Sequence, residues 1–575
     1  MIDCSIRMEN LLMKSLLGII RACVLAGIMG GTLISAQIKL PAIISDHMVL
    51  QADRKTPLWG RASAGAEITA SFQGKTVVTH ADAGGYWRLD LPPDAASDRP
   101  DALTIAESST PDTRSSVTIQ DVLVGEVWIA GGQSNMAYGL QSMQGKEKYL
   151  AAANNSQLRF FQVKHNTSAE PLGLWPGLAV GDVDGKWELS EPATAAPFSA
   201  VAYLFATELQ GQLHRPVGVI SSNWGGTPIQ TWMSHDAFAS DGTFQKYLDE
   251  SAKAVALHRK LVADPANDAK YKADWQKWRK EVGEPYDAAM KIWNTANESG
   301  KDPGLRLKIG EPEPRNPDPT AIPLGGYRPG SPSVCWNAMY SPLLPYAMRG
   351  ALWYQGEANV SGYKDYSLML RSMVIDWRDQ FANANLDFLV VQLPANGVND
   401  AKRQLAHMRE AQATTLTLPR TGLAITFDVG DPGNVHPASK VDIAHRLTLI
   451  ALAKTYGRSI PYTGPVFESA EPESSTLRVT FSHVTGKLVI AQTPWLSVHT
   501  VPFPLDLVIG FEIAGNDKVF APATATIANG NQVVLKSETL PHPRYVRYAF
   551  DESPRANLYD EAGLPTAPFR TDSDQ

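Results

Sequence analysis

In the early part of the chain, apolar and polar residues alternate in short runs. Glu67–Phe72 (EITASF), Thr76–Thr79 (TVVT) and Tyr86–Leu91 (YWRLDL) are separated by Gly, Asp and Pro, the pattern of half-buried strands joined by turns. From residue 37 to about residue 118 this predicts an antiparallel β-sandwich. Near Val122 the pattern changes to longer continuous apolar runs. Val122–Met136 (VLVGEVWIAGGQSNM) ends in two glycines and a serine, and Gly218–Trp232 (GVISSNWGGTPIQTW) ends in Ser, Asn and two more glycines. Ala351–Asn359 (ALWYQGEAN) closes on Gln355, Glu357 and Asn359, and Thr426–Arg446 passes from a strand through Asp428, Asp431 and His436 into a helical pattern. Continuous apolar runs mark strands buried on both faces of a parallel sheet, and their alternation with helices predicts an α/β unit over residues 119–456.

Two stretches interrupt or follow that unit. Tyr271, Trp275, Trp278 and Val282 recur at helical spacing, which predicts a helical insertion over 240–300, followed by a Pro- and Gly-rich loop, Pro303–Pro332. From residue 457 to 575 strand patterns return, including Leu477–Phe481, Gln532–Leu535 and Tyr545–Phe550. They fit either a second all-β unit or a split sandwich completed by the N-terminal strands. At the other end, Lys14 and Arg21 accompany the apolar stretch Ala22–Ile34, with Ser35-Ala36 before Gln37. This reads as a signal peptide over residues 1–36, with Met1, Met8 or Met13 as its start, and the apolar stretch is too short and too rich in Gly for a spanning helix. The expected location is periplasmic or extracellular.

Composition narrows the partners. A chain of 575 residues, 44% hydrophobic and 19% charged, is long enough for two or three units with cores of their own. A net charge of −7 provides no basic footprint for nucleic acid, and no cationic run marks a membrane surface. Of three cysteines, Cys4 and Cys23 fall in the leader, so Cys335 has no partner for an internal disulfide and reads as a small buried hydrophobe.

Ligand sites of α/β sheets lie beyond the carboxyl ends of the strands, where all four blocks end. Ser134 is there as a candidate nucleophile, or as the N-cap of a helix starting near Met136. A serine hydroxyl attacks an ester only if a base takes its proton, and His436, in a loop after a strand with Pro437 behind it, is the candidate base, ahead of His445 within the following helix. Asp431 or Asp428 can steady the imidazole, as can a backbone carbonyl in their place, with Asp431 preferred. The N–H groups of Ser134 and of Gly225 or Gly226 are candidate oxyanion donors, and Asn223 and Trp224 candidates for the acyl pocket. A glycosidase built on Glu126 and Glu357 would leave Ser134 and His436 without a role. HExxH, metal-ligand clusters and a P-loop are all missing from the sequence, so neither metal nor cofactor is implied.

In this order, the GQSNM, NWGG, WYQGEAN and Asp/His blocks resemble the SGNH-hydrolase superfamily and, within it, the sialate O-acetylesterase family. Ser45–Gln51 (SDHMVLQ), Arg409–Gln412 (REAQ), His436–Lys440 (HPASK), Gly510–Phe520 and Asn557–Asp572 extend the resemblance over nearly the whole mature chain. The resemblance implies a flavodoxin-like three-layer α/β/α hydrolase domain flanked by all-β sandwich domains. It also implies a side-chain amide in the oxyanion hole, Gln355 in preference to Asn359, with Glu357 orienting that loop. The chain departs from the superfamily in one place: the position three residues before His436 is Gly433, not Asp. The implied activity is removal of acetyl groups from O-acetylated sialic acid through an acetyl-serine intermediate. Acetylated xylan or another glycan is the alternative substrate, and a non-catalytic carbohydrate-binding protein, suggested by the β-rich flanks and 14 Trp, the alternative class.

Overall fold

The computed structural model describes residues 38–572 other than 111–112, 175–177, 263–272, 274–275, 278, 286–287, 290, 293–328, 398, 400 and 492–505. The short strands β1 (Val49–Gln51), β2 (Thr56–Arg61), β3 (Glu67–Phe72), β4 (Lys75–His80), β5 (Tyr86–Leu91) and β6 (Ser97–Thr110) lead into β7 (Thr113–Gly132), a strand of 20 residues. β4, β3, β6 and the first half of β7 form an antiparallel sheet, β1 joins β7 in parallel, and β2 pairs with β5.

The second half of β7 belongs to a different sheet. After α1 (Ser134–Ala137) come β8 (Asn155–Gln162), the short parallel pair β9 (Leu172–Gly173) and β10 (Ala179–Val180), β11 (Trp187–Ser190), α2 (Ala200–Leu213) and β12 (Val217–Asn223). Then follow α3 (Gln245–Val262), β13 (Gly350–Tyr354), α4 (Tyr363–Gln380), β14 (Asp387–Val391), α5 (Gln404–Ala413), β15 (Thr421–Ala424) and α6 (Val441–Ile450). The strand order is β11-β8-β12-β7-β13-β14-β15, all parallel except the antiparallel edge β11. Helix α2 packs on α6 and α4 on α5.

The amino-acid pattern along β7 explains how one strand serves both sheets. Residues 115–120 alternate between more and less exposed positions, as one-sided burial requires, whereas Val122–Gly132 is buried throughout. The boundary expected at residue 118 therefore falls inside an unbroken strand. At the junction sits Glu126, with no exposed surface, receiving Arg349 Nε at 2.7 Å, Arg215 Nη1 at 3.0 Å, Tyr456 Oη at 3.1 Å and Gln51 Nε2 at 3.2 Å. Burial alone would push this carboxyl up, but the hydrogen bond and charge of Arg349, with Gln51 and Tyr456, hold it below the usual carboxylate range. Gln51, the last residue of SDHMVLQ, also accepts the Val127 N–H at 2.9 Å and so locks β1 to the strand that leads to Ser134.

The C-terminal strands form sheets of their own. Val466–Glu473, Thr476–Ser482, Gln532–Lys536 and Thr524–Ala528 make one; Ala521–Pro522, Phe511–Ala514, Tyr545–Tyr548 and Phe569–Arg570 make another; Leu488–Ile490 pairs with Leu558–Asp560. Among the described residues none of them is hydrogen-bonded to β1–β6. The C-terminal region docks through Arg403 on Glu512 (2.6 Å), Arg570 on Glu410 (2.8 Å) and the buried Arg409, whose guanidinium reaches the carbonyls of Asp551 (2.6 Å) and Glu552 (2.8 Å). Of the helical insertion, α3 and a short π-helix at Arg279–Gly283, which contains Val282, are described. Tyr271, Trp275, Trp278, most of Pro303–Pro332 and the leader 1–36 lie outside the described residues. No helix among the described residues is long and apolar enough to cross a membrane.

Glu126→Ala leaves two arginines facing a buried gap, and breaking such a pair from one side costs about 3–5 kcal/mol. A corresponding loss in the urea unfolding transition of the variant, followed by tryptophan fluorescence, is the expected result, and a loss under about 1 kcal/mol would show the cluster to be solvated.

Candidate active site

The carboxyl ends of the parallel strands deliver the chemistry in spatial order. Across the sheet lie His165 beyond β8, Trp224 beyond β12, Ser134 beyond β7, the Gln355–Asn359 turn beyond β13, the Asn396-Gly397 loop beyond β14, and Asp428 to His436 beyond β15. Ser134 is the first residue of α1, whose N-cap is Gln133, so it does not serve as the cap. Its Oγ lies 2.7 Å from Nε2 of His436, a hydrogen bond between residues 302 positions apart.

The glycines before Ser134 are there for close packing. A Cβ on Gly131 would stand 2.3 Å from the Tyr340 hydroxyl, and one on Gly132, at φ +133°, 2.1 Å from the Tyr354 carbonyl oxygen. Only a strand without side chains at these two positions fits between β12 and β13. Gln133 then ties the turn to its neighbour: its Oε1 accepts the N–H groups of Ala358 (3.2 Å) and Gly356 (3.3 Å).

Asn135, with no exposed surface, joins three loops. Its Nδ2 donates to Glu357 Oε1 at 2.5 Å and to the Val435 carbonyl, next to His436, at 2.9 Å; its Oδ1 accepts Lys440 Nζ at 2.6 Å. Lys440 is fully buried, its ammonium 4.8 Å from the Tyr138 ring and 5.7 Å from the Tyr354 ring. Burial pushes the Lys440 amine down to about 7 and, acting on the other member of the cluster, pushes the Glu357 carboxyl above its ordinary range. Glu357 Oε2 is buried with no hydrogen-bond partner among the described residues. Glu357 thus meets the residue after Ser134, while Asn135 and Lys440 were not singled out from the sequence. One signal was available for Lys440: it occupies the N-cap of α6, where the helix dipole disfavours a cation, so a lysine there answers to something else.

The two aspartates have different surroundings. Asp428 has no exposed surface and accepts Arg446 through both oxygens at 2.6 Å, with the Tyr559 hydroxyl at 2.9 Å, so its carboxylate is committed to the junction with the C-terminal unit. Asp431 lies in the turn that carries His436: its Oδ1 accepts the Gly433 N–H at 2.8 Å, its backbone N–H donates to the Ala395 carbonyl at 3.1 Å, and the following Asn434 accepts the His436 N–H at 2.9 Å. His445 is away from this cluster, bonded to Glu208 on α2 at 2.7 Å. Glu126 stands six residues before the end of β7 at Gly132, on the order of 20 Å from the strand end beside which the Glu357 turn begins, so it forms no carboxylate pair with Glu357 across a sugar bond.

Around the serine, Gly225 comes so near that a Cβ there would sit 3.4 Å from Ser134 Cβ, and Gly226 turns the chain at φ +75°. Among the described residues the backbone N–H groups of Ser134, Gly225 and Gly226 donate to no protein acceptor. Gln355 differs from expectation. It has no exposed surface; its Nε2 faces Asn359 Oδ1 (2.8 Å), Gln133 Oε1 (3.1 Å) and the Thr227 carbonyl (3.2 Å), and its Oε1 accepts the Tyr366 hydroxyl (2.9 Å). Its amide is a hub of the scaffold, with no N–H left to offer an oxyanion. Asn359 is likewise engaged, accepting the Ile229 N–H at 2.9 Å and donating to Gln230 at 3.1 Å, and Asn223 is buried with its amide on Ser221 Oγ at 2.8 Å. Trp224 is half-buried at the rim. Cys335 is buried under Thr231, its thiol pushed up to about 12 by burial, as a packing residue would be. Among the described residues no three His, Cys, Asp or Glu side chains are grouped to hold a metal ion.

Because the Lys440 amine is held near 7, far below its ordinary range, unfolding takes up a proton above that pH, and the fold gains stability as pH rises from about 7 toward the ordinary lysine value. Lys440→Met removes the titrating group. The urea midpoint of the parent is expected to climb more steeply between pH 7 and pH 9 than that of the variant, and parallel slopes would place the amine in water.

A family model described as carbohydrate esterase, sialic acid-specific acetylesterase, matches residues 337–452, the stretch that includes Gln355, Glu357 and His436. Sialate O-acetylesterase of Rattus norvegicus is 26% identical over 468 residues, 75% of this chain and 76% of that protein. Sialate O-acetylesterase of Homo sapiens is 25% identical over 467 residues, 75% and 74% of the two chains. Among solved structures, a carbohydrate acetylesterase from Xanthomonas citri superposes with a TM-score of 0.70 at 31% identity, covering 93% of this chain and all of that one. With that identity over almost its full length, the chain belongs to this family of carbohydrate esterases and is an O-acetylesterase.

Proposed function

We propose that the chain is an exported serine hydrolase that removes acetyl groups from O-acetylated sialic acids. The observation that carries the mechanism is the 2.7 Å contact between Ser134 Oγ and His436 Nε2 at the carboxyl ends of the central strands. His436 takes the hydroxyl proton as Ser134 Oγ bonds to the acetyl carbonyl carbon. The oxyanion that forms meets the N–H groups of Ser134 and Gly225. His436 then passes its proton to the departing sugar oxygen, leaving acetyl-serine; water, deprotonated by the same imidazole, releases acetate and restores Ser134. Asp431, in the turn that carries His436, steadies the imidazolium, a reading favoured by the commitment of Asp428 to Arg446. The sialic acid follows from the likeness to the sialate O-acetylesterases.

The same proposal takes residues 1–36 as a leader removed on export to the periplasm or the extracellular space. Residues 37–118 are then an N-terminal sandwich, 119–456 the catalytic unit in the SGNH three-layer arrangement, and 457–575 a β-rich C-terminal unit.

Acetate release from 9-O-acetylated sialic acid and from acetylated xylan, measured side by side with Ser134→Ala and His436→Ala, tests the reading. The parent is expected to prefer the sialic acid, and each variant to lose about 10⁴-fold or more in kcat. Release by Ser134→Ala close to the parent rate would sink the serine mechanism. A preference for xylan would keep the mechanism and replace the substrate.

A further inference from the structure

The side chains that engage Ser134 and Asn135 approach from one side. His436 reaches it from the loop after β15, and Asn135, Glu357 and Lys440 fill the space on the β13 side. The opposite side, beyond β12 and β8, holds two flat rings: the imidazole of His165 lies on the indole of Trp224, centroids 4.3 Å apart and planes 6° from parallel. The pair adjoins the reacting atoms, because Trp224 N–H donates to the Gly132 carbonyl at 3.1 Å and the next residue, Gly225, borders Ser134 Cβ. It is also at the surface, with His165 exposed and Trp224 half-buried, followed by the exposed Gly225 and Gly226.

The stack is built to hold its position. His165 Nε2 donates to the Asn223 carbonyl at 3.1 Å, the residue just before Trp224, so the ring is fixed in its own plane as well as against the indole. Packing against the indole partly desolvates the ring and lowers its basicity, which favours the neutral form. With Nε2 donating, the neutral ring presents Nδ1 as a lone pair, and Nδ1 has no protein partner among the described residues.

We propose that His165 and Trp224 form the platform that receives the sugar ring bearing the acetyl group. A pyranose carries an apolar face of C–H groups, which packs on the indole, and a rim of hydroxyls, one of which donates to His165 Nδ1. His165 is a specificity residue and takes no part in proton transfer, which His436 performs. The inference rests on the carbohydrate reading above.

The test compares an acetylated sugar with p-nitrophenyl acetate, which has the ester but no sugar. The sugar is 9-O-acetylated sialic acid or acetylated xylan, whichever the parent turns over faster. For His165→Ala, KM toward the sugar is expected to rise about tenfold with kcat within about twofold, while both constants for p-nitrophenyl acetate stay within about twofold of the parent. His165→Phe keeps the flat ring and is expected to recover most of the KM. Equal losses on the two substrates, no change on either, or failure of the Phe variant to recover KM would overturn the platform. Parent protein that cleaves p-nitrophenyl acetate but releases nothing from either sugar would overturn the carbohydrate reading and the platform with it.

Discussion

A buried amide, that of Asn135, holds the site together. The serine and histidine come from strand ends three places apart in the sheet and 302 residues apart in the chain, and neither β7 nor β15 has a reason of its own to bring them within 2.7 Å. Asn135 supplies it by donating to Glu357 and to the Val435 carbonyl while accepting from Lys440. An amide suits this place because it has two donors and an acceptor in a fixed plane, so it can satisfy a carboxylate, a carbonyl and an ammonium at once. In a space closed to water each of those groups would be costly if left alone, and together they form a network in which the loss of one member strands the others.

The C-terminal part of the chain contributes to the same geometry from a distance. Gln412 of α5 holds the Gln355 carbonyl at 3.0 Å and the Leu393 N–H at 2.8 Å, fixing the ends of β13 and β14 relative to each other. Arg409, one turn earlier, reaches the carbonyls of Leu393 and Pro394 on one side and those of Asp551 and Glu552 on the other. Tyr559 closes a second connection by donating to Asp428. The C-terminal unit therefore buttresses the loop that carries His436, which gives a physical reason for the REAQ block and the C-terminal block around Tyr559 to accompany the catalytic blocks.

How far all this could be read beforehand depended on whether a property is local. That Ser134 and His436 could meet was legible because a continuous apolar run ending in Gly-Gly announces a strand end, and the structure brings the two side chains within 2.7 Å. Gln355 was misjudged because an amide at a strand end looks available; that it is enclosed by Gln133, Thr227, Asn359 and Tyr366 is a fact of tertiary packing. In sequence only its nearness to His436 favours Asp431 over Asp428; what gives the two different surroundings is Arg446, in the helix that follows, and Tyr559, far along the chain. The strand patterns of the C-terminal region were visible, but which strands they pair with was not, since register is set between segments.

The 20-residue strand β7 has a consequence for how such a protein can change. Its first half is a ladder of the N-terminal sheet and its second half the central strand of the sheet that ends at Ser134, with Glu126 clamped between them. A flexible linker lets a recombination event lift one module out and leave its neighbour intact. Here a cut at the N-terminal sheet severs the middle of the strand that leads to Ser134, so that sheet is inherited with the candidate site as one cassette, and graftable accessories must attach elsewhere.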